Sequence, residues 1–188
     1  MAVLASFALP CACDGGPAAG QSPAPTSPAS ETPTATPSDP SETPADPRTV
    51  AAGGAMAGYR RFVATVDAVG ASGGKSTAGL RLVATGIMLN AELNQAGIFR
   101  GNKWHSVGHQ IVVSTKPLRV GTPNAKGVID KVTVRACVDS AHATAVDASG
   151  KSVKRLGTPT RWLDDMQMQL VDGAWKAYYA ERRVGAKC

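Results

Sequence analysis

MQMQLVDGAWKAYY, residues 166–179, alternates apolar and polar side chains on both sides of Asp172-Gly173. A period of two around an Asp-Gly pair is the signature of a β-hairpin with a two-residue turn. That register sets Leu170 opposite Trp175, Met168 opposite Ala177 and Met166 opposite Tyr179 on one face. Gln169 with Lys176 and Gln167 with Tyr178 occupy the other. One side of such a ribbon requires a core and the other faces water, so the fold must be layered. Upstream, residues 127–139 repeat the pattern, with Val128, Val132, Val134, Ala136 and Val138 opposed to Lys131, Thr133 and Arg135. Residues 110–115 (QIVVST) form a further strand. Residues 141–147 and 151–155 flank the turn sequence Asp147-Ala148-Ser149-Gly150.

Before residue 108 the period lengthens. Met56, Tyr59, Phe62 or Val63, Val66 and Val69 recur at helical spacing, which predicts an amphipathic helix ending near Gly70, then a loop over 71–74. A second helix is expected over 76–97, with Leu80, Val83, Ile87 and Ala91 on one stripe and Gly97 as its C-cap. Helices followed by strands of one-sided polarity make an α+β fold, in which N-terminal helices pack on a curved, mostly antiparallel sheet. This domain is expected over 50–188.

The chain ahead of it has another character. Residues 14–47 hold nine prolines among Ser, Thr, Ala and acids, so residues 14–49 read as a disordered tether that cannot bury a core. Residues 1–13 begin with the apolar run MAVLASFAL, too short to span a bilayer and placed as an export leader. A cysteine closely following such a run, with a flexible segment behind it, resembles the lipobox of bacterial lipoproteins. Cys13, or else Cys11, is therefore the candidate lipid anchor. The remaining cysteines, Cys137 in a strand and Cys188 at the C-terminus, are expected to form one disulfide in an exported domain. Closing a loop of about 50 residues contributes roughly 4 kcal/mol on the chain-entropy account.

The charge is split along the chain. All 20 Lys and Arg lie at or beyond Arg48, while Asp14, Glu31, Asp39, Glu42 and Asp46 precede it. The part from Arg48 onward therefore sets 20 bases against nine acids, a net charge of +11. Such a field favours anionic partners without specifying chemistry.

The order of elements, with LRLVATG (80–86), GIFRG (97–101), VRACVDS (134–140), DASGKSV (147–153) and DGAWK (172–176), resembles secreted proteins and lipoproteins of high-GC Gram-positive bacteria and their mobile elements. Their domain looks like the nuclear-transport-factor-like cone fold, also seen in ketosteroid isomerases. In that family an Asp commonly precedes the strand cysteine, where this chain has Ala136. The resemblance implies fold and location and brings no catalytic signature.

Candidate chemistry is sparse. Extending the hairpin register places Asp164 and Glu181 on the core-facing side and opposite one another. There they are either a proton-sharing carboxylate pair or rim acids neutralised by Arg161, Arg182 and Arg183. His105 and His109 stand four apart, but Gly108 and the following strand argue against a shared helical face, so no metal site is assigned. Trp162, Trp175, Tyr178 and Tyr179 interleave with Arg and Lys, yet placing Trp175 and Tyr179 in the core removes a stacking platform for nucleic acid. No phosphate loop or nucleophile elbow occurs, and no cofactor is implied. The sequence thus points to a membrane-tethered, non-enzymatic binding module of the cell envelope. Its expected partner is an envelope protein or an anionic surface polymer, and self-association through the exposed sheet face is a further expectation. The alternatives are a small-molecule-binding or isomerase-like enzyme using a cone cavity, and an exclusion or secretion-apparatus lipoprotein of a mobile element.

Overall fold

The computed structural model describes residues 45–184 and residue 188. The expected leader, the expected tether up to residue 44 and the candidate anchors Cys11 and Cys13 lie outside the described residues. The first helix, α1 (Pro47–Ala71), starts three residues before the expected domain boundary at 50. Asp46 sets the start: its carboxylate accepts from the backbone N–H of Arg48 and of Thr49, both at 3.2 Å, and Pro47 fits the first helical position.

The second predicted helix is two pieces. A single turn, α2 (Leu80–Val83), is followed by an extended break at Ala84 and Thr85 and then by α3 (Gly86–Asn102). At the break the Thr85 N–H donates to the Ala177 carbonyl at 2.8 Å, and Gly86 adopts a φ of 54°. Helical continuity is exchanged there for a bond to the sheet edge, in a left-handed conformation that glycine tolerates. Gly97 lies inside α3 and is no cap; Lys103, with a φ of 56°, ends the helix instead. Ile87, expected on the buried stripe, is 56% exposed, because the break rotates the stripe away.

The strands are β1 (His105–Val107), β2 (Ile111–Val120), β3 (Lys131–Asp139), β4 (Thr144–Val146), β5 (Arg161–Val171) and β6 (Ala174–Val184). Four of them form one antiparallel sheet in the order β2-β3-β5-β6, and β1 pairs with β4 in a separate two-stranded ribbon. The helices cover one sheet face. Tyr59, Phe62 and Val63 of α1 pack with Val132, Val134, Ala136 and Val138 of β3, and with Trp162, Met166, Met168, Trp175 and Ala177 of the last hairpin. A large apolar side chain buried this fully contributes about 1.5–3 kcal/mol. Val128, expected on the same face, precedes β3 and is 41% exposed.

The spacing of α1 over the sheet is set by one contact. Trp175 lies against Gly54 and Gly58, one helical turn apart. A Cβ at Gly54 would come within 2.6 Å of the indole Nε1, and one at Gly58 within 2.7 Å of Trp175 Cβ and 2.9 Å of its carbonyl oxygen.

The hairpin register holds from the turn to Met168 opposite Ala177 and then slips by one residue. Tyr178 is the extra residue, with its ring over Gly86. Beyond this bulge Met166 faces Ala180 and Gln167 faces Tyr179, so Tyr179 belongs to the outer face and is 42% exposed. The expected core position of Tyr179 is corrected accordingly. Cys137, on the outer face of β3 yet 2% exposed, is disulfide-bonded to Cys188 with their Cα atoms 5.8 Å apart.

Gly58→Ala is expected to destabilise the domain by about 1–2 kcal/mol, because the overlap with Trp175 outweighs the gain in helix propensity. Gly53→Ala, with nothing within 4 Å of the added methyl, is expected to stabilise it by about 0.5–1 kcal/mol. Urea unfolding followed by circular dichroism measures both.

Candidate functional site

The one-residue slip in β6 decides the fate of the candidate carboxylates. Asp164 pairs with Arg182, and Glu181 lies opposite Asp165 on the outer face, exposed. Asp164 and Glu181 therefore do not face one another, and the proton-sharing alternative fails, because the Tyr178 bulge inverts every side chain of β6 beyond it. Arg182 takes the inward place that uninterrupted alternation assigns to Glu181.

Asp164 itself is on the core face and 4% exposed. The Tyr59 hydroxyl donates to its Oδ2 at 2.9 Å, and Arg182 Nε donates to Oδ1 at 3.0 Å. Both carboxylate oxygens are thus engaged by protein donors. Burial, reinforced by the Asp164 charge, pushes the Tyr59 hydroxyl well above the usual phenol range. The guanidinium carbon of Arg182 stands 4.6 Å from the centre of the Trp162 ring. A second carboxylate approaches from α3: Glu92 is half-buried, and desolvation raises its pKa, with Arg182 opposing the rise and Asp164 adding to it. The sequence offered no signal for Glu92, since a helical acid becomes a cavity residue only once the helix is placed.

Beyond this cluster the layers part. A cavity of about 500 Å3 opens between α3, the β1/β4 ribbon and the ends of β5 and β6, with Phe99, Trp104, Trp162, Lys154 and Arg182 among its walls. A recess of about 150 Å3, bounded by α1 and α3, shares Asp67, Gln95, Phe99, Ser106 and Gln110 with it and reaches Glu92. Asp67 accepts from the backbone N–H of Gln110 at 2.8 Å and from its Nε2 at 2.9 Å, tying α1 to the start of β2.

The outer face of the sheet divides by charge. Near its β1/β4 end, Arg135 holds Asp165 through two donors at 2.6 and 2.7 Å, Arg183 adds a third at 2.7 Å, and Arg161 holds Asp139. The Arg135 hydrogen bonds keep the Asp165 carboxyl below its ordinary range. Toward the hairpin turn, register places Arg119, Thr133, Gln167 and Tyr179 in one row and Lys131, Gln169 and Lys176 in the next. Arg119, Lys131 and Lys176 make no ion pair among the described residues, and a groove of about 260 Å3 runs between Arg119, Lys131, Thr133, Gln167 and Gln169.

His105 lies in β1 and His109 beyond it, separated by Gly108 at a φ of 76°, so they share no helical face. Trp162 and Trp175 are core residues, and the Tyr178 ring lies over Gly86. Tyr179 alone of the four aromatics considered for stacking is on the outer face.

No protein-family model matches the chain, and no curated protein matches it. Among solved structures, the intermembrane-space region of chloroplast protein ARC6 superposes with a TM-score of 0.51 at 13% identity, over 74% of this chain and 98% of that one. The likeness is one of fold. A Novosphingobium aromaticivorans protein proposed to be an aromatic ring hydroxylase aligns over 71% of this chain and 88% of its own at 15% identity. Its TM-score of 0.38 carries no argument about chemistry.

Tyr59→Phe is expected to cost about 1–3 kcal/mol by leaving Asp164 Oδ2 buried without a donor, measured by thermal or urea unfolding. Asp165 has a folded pKa below its ordinary 3.8, so its stabilisation is present above that value and is withdrawn as pH falls through the lowered one. Asp165→Asn should flatten the loss of stability below about pH 4, measured by urea unfolding across an acid series.

Proposed function

We propose that this chain is an exported, non-enzymatic binding module of the cell envelope, held at a membrane through Cys13 or Cys11. On this reading it engages an anionic partner, a surface polymer or an acidic protein, through the outer face of its sheet. The observation that carries the reading is the cation cluster near the hairpin turn, where Arg119 and Lys131 line a groove and Lys176 stands opposite Gln169 beside it, none of the three in an ion pair among the described residues. Arg119 supplies a planar fork for carboxylate or phosphate, while Lys131 and Lys176 act as point charges beside it. Thr133, Gln167 and Gln169 add uncharged hydrogen-bonding groups, which suit a partner bearing hydroxyls or amides as well as charge. The disulfide supports export, because such bonds persist in oxidising compartments. Catalysis at Asp164 is disfavoured because both of its oxygens are committed to Tyr59 and Arg182.

The test is in-cell crosslinking of the tagged full chain, membrane fractionation and mass analysis of the recovered complex. The expected result is a membrane-bound, acylated protein carrying an anionic partner, with capture weakened by added salt. The double variant Arg119→Glu, Lys131→Glu should lose the partner while keeping its melting temperature. Recovery of the wild-type chain alone, unacylated and in the soluble fraction, would overturn the reading.

A further inference from the structure

The cavity between α3, the β1/β4 ribbon and the ends of β5 and β6 is separate from the outer sheet face and has its own chemistry. Its volume of about 500 Å3 falls within the usual range for small-ligand sites. Three aromatic side chains, Phe99, Trp104 and Trp162, stand in its walls. Phe99 and Trp104 meet edge to face, with ring centres 6.2 Å apart, and so hold each other in place.

The polar groups are placed unevenly. Asp164 grips Arg182 through Nε alone, and the guanidinium stacks over Trp162. Its two terminal nitrogens, in a side chain 55% exposed, have no protein acceptor among the described residues and border the cavity. An arginine fixed in this way has already lost much of the rotamer freedom that binding would otherwise cost. Lys154 brings a second cation to the same rim and makes no ion pair among the described residues. The negative groups are engaged or deep: Gln110 occupies both oxygens of Asp67, and Glu92 lies in the recess beside Val66, Val69 and Ala96. The recess therefore suits an apolar end, and the rim suits a negative one. Trp162 contributes its ring to the wall beneath the Arg182 guanidinium.

We propose that this cavity binds a small organic acid, its flat apolar body between Phe99, Trp104 and Trp162 and its carboxylate on Arg182 and Lys154. A purely apolar ligand would leave the fork of Arg182 unused. An organic cation would meet two positive side chains at the entrance.

The test uses 2-naphthoate and its uncharged analogue 2-naphthylmethanol, titrated into the full chain by calorimetry, with the site mapped by chemical-shift perturbation. Saturable one-to-one binding of the acid is expected, at least about tenfold tighter than that of the alcohol. Because Arg182→Gln alone would strand Asp164, the double variant Arg182→Gln, Asp164→Asn is used, and it should lose that preference for the acid. Ala143→Trp, which fills the cavity from its wall, should abolish binding, while Lys126→Glu, outside the cavity, should leave it unchanged. Equal binding of acid and alcohol, an unaltered preference in the double variant, or no binding of the acid at millimolar concentration would each overturn the proposal.

Discussion

The contact between Trp175 and the Gly54/Gly58 strip of α1 is the constraint from which the rest of the architecture follows. With no Cβ at either glycine, the helix comes close enough for Tyr59 to reach Asp164 across the core, and for Phe62 and Val63 to meet β3. A wider separation would leave the tyrosine hydroxyl short of the carboxylate and expose side chains that are now buried. Gly53 and Gly54 would both be weak points in a solvent-facing helix. Gly54 and Gly58 are instead where the sheet is received, so the cost in helix propensity returns as packing.

The consequences reach the β6 edge of the sheet. Once α1 is seated on β6, the chain returns through Ala84 and Thr85 to hydrogen-bond Ala177, and Gly86 turns α3 away beneath the Tyr178 ring. The bulge at Tyr178 and the left-handed glycine are two halves of one device that covers the edge of β6. At the other edge, β2 carries Pro117 and two register irregularities, features that discourage pairing with a foreign strand. Both edges are thus guarded, by different means.

Much of this was legible in the sequence, within definite limits. The hairpin 166–179, the alternating strand around Val134, the helix through Tyr59 and Val69, and the pairing of Cys137 with Cys188 all follow from periodicity and cysteine position. The bulge does not, since a single inserted residue leaves the local apolar pattern intact and appears only when the partner strand is placed. That one residue moved Tyr179 outward, exchanged Glu181 for Arg182 at the core face, and set Asp164 opposite an arginine in place of a second acid. The division of the second helix was hidden for a related reason: Gly86 reads as a mild weakness inside a helical stripe, while the bond from Thr85 to Ala177 that makes a break worthwhile is long-range. The cavity was illegible because its walls come from segments distant in sequence, and each of its residues alone has an ordinary explanation.

The clip between Cys137 and Cys188 also governs how the domain bears load. Tension on the N-terminal chain enters at Pro47, where Arg48 holds the Val120 carbonyl at 3.3 Å, and it would peel α1 from the sheet before it reached the later strands. The 51-residue separation between the two cysteines encloses β4, β5 and β6 in a covalent loop. Roughly 170 Å of contour, at about 3.4 Å per residue, is thereby withheld from extension. Under strain the chain ahead of Cys137 would lengthen first, while the ends of the segment from Cys137 to Cys188 stay covalently joined.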